Sequence, residues 1–127
     1  MHADHFTINV TDLEASMKFY GEVLGLPALP SADMGDHQLY YFDLGGGTML
    51  ELIHYDDDFG EAKPHIKTRG IYRHMALSCD DVDALAKKLE DAGMTITCPP
   101  GDVPKLRFKN ILMEDPNGVE IEFVQRY

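Results

Sequence analysis

The chain has 127 residues, enough for one domain with a hydrophobic core and too few for two ordinary independent ones. Apolar residues at 44% and charged residues at 26% are the proportions of a globular protein, not of a disordered or membrane chain. Twenty-two acidic against 11 basic side chains give a formal charge of −11, which repels a nucleic-acid backbone and argues against DNA or RNA as partners.

In chain order, residues 5–10 (HFTINV) alternate with period two and read as a half-buried strand. Thr11 or Asp12 then opens a helix by capping free backbone N–H groups. Leu13, Met17, Tyr20 and Leu24 fall at helical spacing, and Gly25 stops the helix. Residues 37–44 and 48–55 read as strands joined through the Gly-rich turn at 45–47. Residues 56–70 are charged and broken by Pro64 and Gly70, the composition of a linker.

Beyond it the same order returns. Residues 74–79 (HMALSC) alternate, Asp80 or Asp81 caps a second helix with Val82, Leu85, Leu89 and Ala92 inward, and Gly93 ends it. The Pro-Gly-rich segment 99–105 reads as a loop, able to cover a site. Strands follow at 106–114 and 118–125, joined by Asp115-Pro116-Asn117-Gly118. Lys105, Arg107 and Lys109 alternate with Leu106 and Phe108, placing three positive charges on one strand face, either as a charged edge or as a receiver of an anionic substrate. No apolar run approaches the roughly 20 residues that cross a bilayer, so the expectation is a cytoplasmic protein without a membrane partner. Cys79 and Cys98 are too few for a disulfide framework and are both expected to be packed thiols.

The chain thus contains itself twice. Overlaying 5–26 on 74–94 with one gap matches His5 with His74, Asp12 with Asp81, Ala15 with Ala84, Lys18 with Lys87 and Gly25 with Gly93. GGTMLELIHY (46–55) likewise matches NGVEIEFVQR (117–126), so Glu51 meets Glu122 at nearly the same distance from its histidine. The expectation is a single domain, 1–127, of two repeats (about 1–55 and 71–127), each strand, helix, then three strands.

Strand alternation places each of these four residues opposite its strand's apolar set: His5 against Phe6, Ile8 and Val10, and Glu51 against Leu50 and Leu52. His74 opposes Met75, Leu77 and Cys79, and Glu122 opposes Ile121 and Phe123. Two imidazoles and two carboxylates suit one divalent first-row ion with positions left open. His2, His37, His54 and His65 lack such pairing and read as surface or structural.

On His5 with TDLEASMKFYGEVLGL, Glu51 in MLELI, His74 in RHMALS and Glu122 in EDPNGVEIEF, nearly the whole chain resembles the vicinal oxygen chelate superfamily, and within it the bacterial glyoxalase I type. The resemblance implies an α+β fold: two βαβββ modules forming an open, cupped sheet with helices on the outer face. It implies a homodimer, a small-molecule substrate and a site holding Ni²⁺, Co²⁺ or Zn²⁺, with Mn²⁺ or Fe²⁺ as further options.

The resemblance also implies the chemistry. A metal chelated by two adjacent substrate oxygens stabilises an enediolate. A carboxylate, Glu122 first and Glu51 as its counterpart, carries the proton between neighbouring carbons. The product from methylglyoxal and glutathione is a lactoyl thioester.

Two positions depart from the glutathione-specific pattern: Asn9 stands where those enzymes carry Arg, and Tyr55 where they carry Asn. Losing the Arg removes a bidentate clamp on a carboxylate, which argues against glutathione as the cosubstrate. Asn9, Tyr55 and Arg107 are therefore the expected substrate contacts. The alternatives are an enzyme like the acyl-CoA epimerases, or a non-catalytic binder of small molecules or antibiotics with the same fold.

Overall fold

The computed structural model describes residues 1–57, 60, 65 and 67–127. The chain divides into two compact units, Met1–Phe59 and Gly60–Tyr127, so the division falls inside the expected linker 56–70. Residues 58, 59, 61–64 and 66 of that linker lie outside the described residues.

The first unit runs β1 (His5–Asn9), α1 (Leu13–Met17), a π-helical segment (Lys18–Val23), β2 (Ala28–Asp33), β3 (His37–Gly45) and β4 (Thr48–Tyr55). Its sheet has the order β1-β4-β3-β2, with β1 parallel to β4 and the other pairs antiparallel. The second unit runs β5 (Met75–Ser78), α2 (Val82–Asp91), β6 (Thr95–Val103), a 3₁₀ turn (Pro104–Leu106), β7 (Phe108–Glu114) and β8 (Glu120–Arg126). Its sheet, β5-β8-β7-β6, has the same pattern of parallel and antiparallel pairs. Two βαβββ modules with open four-stranded sheets are therefore the fold.

Both helices begin alike. Asp12 accepts from the Ala15 amide and Asp81 from the Ala84 amide, each at 2.9 Å, satisfying an N–H that has no partner within the helix. Gly25 and Gly93 follow the helices at φ +72°, a left-handed geometry that costs glycine little.

The inward faces differ from expectation. In the first module the Leu24 amide reaches back to the Phe19 carbonyl at 2.9 Å, and this wider turn rotates the buried face. Of Leu13, Met17, Tyr20 and Leu24, only Tyr20 is fully buried, joined by Ser16 and Phe19. The Ser16 hydroxyl donates to the Asp12 carbonyl at 2.7 Å. Phe19 and Tyr20 meet edge to face at 4.9 Å, and Tyr20 lies 6.1 Å from Phe42 of β3. Gly21 admits that ring: a β-carbon there would stand 3.4 Å from Phe42 Cε1. In the second module Val82, Ala86 and Leu89 are buried, while Ala92 is exposed beyond the last turn.

Each core sits on one sheet face. Phe42, Leu50 and Leu52 in the first module, and Ile111, Met113, Ile121 and Phe123 in the second, alternate with residues facing away. In the second module α2 lies against β6, β7 and β8.

Three expectations around residues 95–109 are overturned. Residues 99–103 belong to β6, whose register shifts between Ile96 and Cys98 and again between Cys98 and Gly101. Pro99 and Pro100 fit because β6 is an outer strand, where a missing N–H breaks no central ladder. β2, an outer strand of the first sheet, is built likewise, with Pro30 inside a register shift between Leu29 and Ala32. The charged alternation also fails. Lys105 lies in the 3₁₀ turn, Arg107 sits at φ +57°, and only Lys109 is in a strand, paired with Asp83. The turn that Pro104 opens and the left-handed Arg107 after it break the extended backbone before β7, so Lys105 and Arg107 share no strand face with Lys109. Finally, Cys79 is half-buried, whereas Cys98, on the bulged outer strand, is exposed rather than packed; both are free. Burial pushes the Cys79 thiol up.

Candidate functional site

In the first module, pairing puts Thr7 of β1 and Tyr41 of β3 on either side of Glu51 in β4. Leu50 and Leu52 turn into the core, so Glu51 faces the other way, yet it is only 8% exposed. A carboxylate so enclosed is costly unless its oxygens are bonded, and both are. The Thr7 hydroxyl donates to Oε1 at 2.9 Å and the Tyr41 phenol to Oε2 at 2.5 Å. That bond, together with burial, holds the Tyr41 proton above its ordinary range.

His5 precedes Thr7 by two residues on the same strand face. Its Nδ1 bonds Asp4 Oδ2 at 2.7 Å, which leaves Nε2 of the neutral ring to present a lone pair. This hydrogen bond raises the His5 pKa above 6.5, with the charges of Glu51 and Asp4 adding to the effect. Proton NMR titration of the metal-free protein should therefore find His5 titrating above an ordinary imidazole. Asp4→Asn should lower it, and an unchanged titration would disprove the pairing.

The second module repeats the register with different neighbours. Ala76 of β5 and Leu112 of β7 stand opposite Glu122 of β8, and His74 precedes Ala76 by two residues. His74 Nε2 lies 3.2 Å from Glu122 Oε2, while Glu122 Oε1 accepts from Asn110 Nδ2 at 2.7 Å. His74 Nδ1 is buried without a hydrogen-bond partner, 3.6 Å from Glu120 Oε1, and Glu120 is engaged by Arg73.

The structure thus brings His74 and Glu122 together, and places His5 beside the strand pair that carries Glu51. Among the described residues, no three His, Cys, Asp or Glu side chains converge closely enough to hold an ion by themselves. Asn9 continues the β1 face of His5 and Thr7, opposite Ile53. Tyr55 is 41% exposed on the β4 face of Glu51, its ring 5.0 Å from that of His37, which also bonds Asp36. Arg107 lies in the left-handed turn before β7, on no strand face.

Sequence reasoning missed Tyr41, Asn110 and Glu120. Counting outward from the Gly-rich turn pairs Tyr41 with Glu51 only if the irregularity between Asp43 and Gly45 is known. No local sequence pattern carries that.

The sequence model of the family described as the glyoxalase/bleomycin resistance protein/dioxygenase superfamily matches residues 2–123. The chain is 28% identical to a probable lactoylglutathione lyase of Synechocystis over 123 residues, covering 95% of this chain and 92% of that one. It is 29% identical to the lactoylglutathione lyase of Haemophilus influenzae over 126 residues, covering 95% and 90%. Among solved structures it is similar to the trypanothione-dependent glyoxalase I of Leishmania major, with TM-score 0.79, 27% identity and 98% and 86% of the two chains covered. A glyoxalase/dioxygenase of Nostoc punctiforme shares the fold at TM-score 0.82 and 23% identity, over 99% and 91%.

Proposed function

Because the chain belongs to the glyoxalase/bleomycin resistance protein/dioxygenase superfamily, we propose that it is a metal-dependent, glyoxalase I-like lyase for a small substrate with two adjacent oxygens. The observation that carries this reading is the repeated register. In each module a histidine stands two residues before the strand partner of a glutamate. In this reading the chain is a single domain of two repeats, and His5, Glu51, His74 and Glu122 are the ligands of the divalent ion.

The donors fit such an ion. Two imidazole nitrogens and two carboxylates suit Ni²⁺, Co²⁺ or Zn²⁺, and also Mn²⁺ or Fe²⁺. When bound, the ion supplies Lewis-acid stabilisation of the negative charge that develops on the substrate oxygens. His5, its Nδ1 occupied by Asp4, offers Nε2. Glu122, with one oxygen on Asn110 and the other facing His74, takes the proton from one carbon and returns it to the next.

Asn9 and Tyr55 lie on the His5 and Glu51 strand faces and are proposed to receive the thiol portion of the substrate. The missing Arg clamp counts against glutathione as that thiol. The relatives' names include both lactoylglutathione lyase and a trypanothione-dependent glyoxalase I, so the fold serves more than one thiol. Arg107, off the strand faces, is at most a peripheral contact. We further read the protein as a cytoplasmic homodimer, in keeping with two free thiols.

Protein purified without chelator should carry one divalent ion per four-residue site. Methylglyoxal mixed with a panel of thiols should then be turned over, and chelation should stop the reaction. Absence of stoichiometric metal, with ligand binding indifferent to Glu122→Gln, would replace the enzyme by a metal-free binder. Metal without turnover of any thiol adduct would remove the glyoxalase reaction.

A further inference from the structure

The two glutamates occupy equivalent positions but have opposite neighbours. Both strand partners of Glu51 bear hydroxyls, Thr7 on one side and Tyr41 on the other. Both strand partners of Glu122 are aliphatic, Ala76 and Leu112. Register alone fixes which four side chains flank the carboxylates, so the contrast is built into the sequence of the two copies.

The consequence is mechanical. Each Glu51 oxygen accepts a hydrogen bond from a donor fixed on a neighbouring strand, at 2.9 Å from Thr7 and 2.5 Å from Tyr41. A carboxylate oxygen has two lone-pair sites, so one remains on each for a cation. The group keeps its ability to ligate and loses its freedom to turn. Glu122 has one such tether, Asn110, which reaches diagonally from two residues before Leu112. Among the described residues its Oε2 meets only the His74 ring. A group that must leave an ion to carry a proton needs that freedom.

We propose that Tyr41 and Thr7 are positioning residues that lock Glu51 as a stationary ligand, and that their replacement by Leu112 and Ala76 in the second module leaves Glu122 free to act as the base. The proposal rests on the metal-site reading above. Tyr41 and Thr7 need not touch the substrate; they act through Glu51.

The test uses Co²⁺ added to chelator-treated full-length protein, followed by visible absorption and by competition with a chromophoric chelator. Tyr41→Phe and Thr7→Val should each weaken Co²⁺ binding by about 10- to 100-fold, the range for removing a group that orients a ligand. Each should also alter the Co²⁺ band, while Thr7→Ser, which restores the donor, should keep both affinity and spectrum. Tyr40→Phe removes a hydroxyl from the opposite face of β3 and should change neither. Thr7 is exposed, so its variants keep the test sound should Tyr41→Phe fold poorly.

Two results would overturn the proposal, and they are distinct. Tight Co²⁺ binding with unchanged affinity and spectrum in Tyr41→Phe and Thr7→Val removes the lock and leaves the metal site standing. Failure of the unaltered protein to bind Co²⁺ removes the metal site, and the lock with it.

Discussion

Glu122→Gln should lower turnover of the methylglyoxal–thiol adduct by about 10²- to 10⁴-fold at saturating metal, the range expected when a positioned base is lost. The amide is nearly isosteric, and its oxygen can still accept from Asn110 Nδ2, which bonds Glu122 Oε1 at 2.7 Å. The strand should therefore fold unchanged, with a native circular dichroism spectrum. Glu51→Gln should behave differently. Its amide would present N–H to one of two groups, Thr7 or Tyr41, that now donate to the carboxylate, so its defect should appear first as lost metal affinity. Turnover of Glu122→Gln within tenfold of the unaltered enzyme would sink the assignment of the base.

The second large effect concerns stability. Phe42 is 1% exposed, lies 6.1 Å from the Tyr20 ring, and fills the space that Gly21 leaves open. Phe42→Ala removes a ring that its neighbours cannot easily replace and should cost about 3–5 kcal/mol. Against a total of roughly 5–15 kcal/mol for a typical domain, that loss brings the protein near the edge of unfolding. Urea unfolding measures it. Tyr72→Ala, at a ring that is 63% exposed, provides the comparison and should stay within about 0.5 kcal/mol. Equal losses at the two positions would show that the Phe42 cluster is not the core of its module.

The features that the sequence made legible are those decided by a few adjacent residues. Asp12 and Asp81 cap their helices because a short acidic side chain can reach an amide three residues on, and that reach is local. Gly25 and Gly93 end them for an equally local reason. Period-two alternation was enough to put Glu51 on the face opposite Leu50 and Leu52, and Glu122 opposite Ile121 and Phe123.

What was not legible depends on partners far along the chain. Helical spacing assumes 3.6 residues per turn, so the wide turn at Phe19–Leu24 displaced the predicted buried face. Residues 99–103 looked like a loop because proline and glycine dominate it, and only its outer position shows why a strand tolerates them. Lys105, Arg107 and Lys109 alternate in the sequence, but alternation implies a shared face only within a continuous strand. The bonds that Thr7 and Tyr41 make to Glu51 arise from register, which is set by turns and bulges rather than by any residue near the glutamate.

The edge strands β2 and β6, one margin of each sheet, have a further consequence. Each carries proline within a register shift, Pro30 in one and Pro99 with Pro100 in the other. An open sheet offers a row of unpaired amides and carbonyls to any extended peptide that drifts past. At these two of the four sheet margins that row is interrupted by residues without an amide hydrogen and bent out of line by the shifts, so neither β2 nor β6 is a continuous template for another chain. An open sheet can thus keep these two edges free without recruiting passing strands there into a growing aggregate.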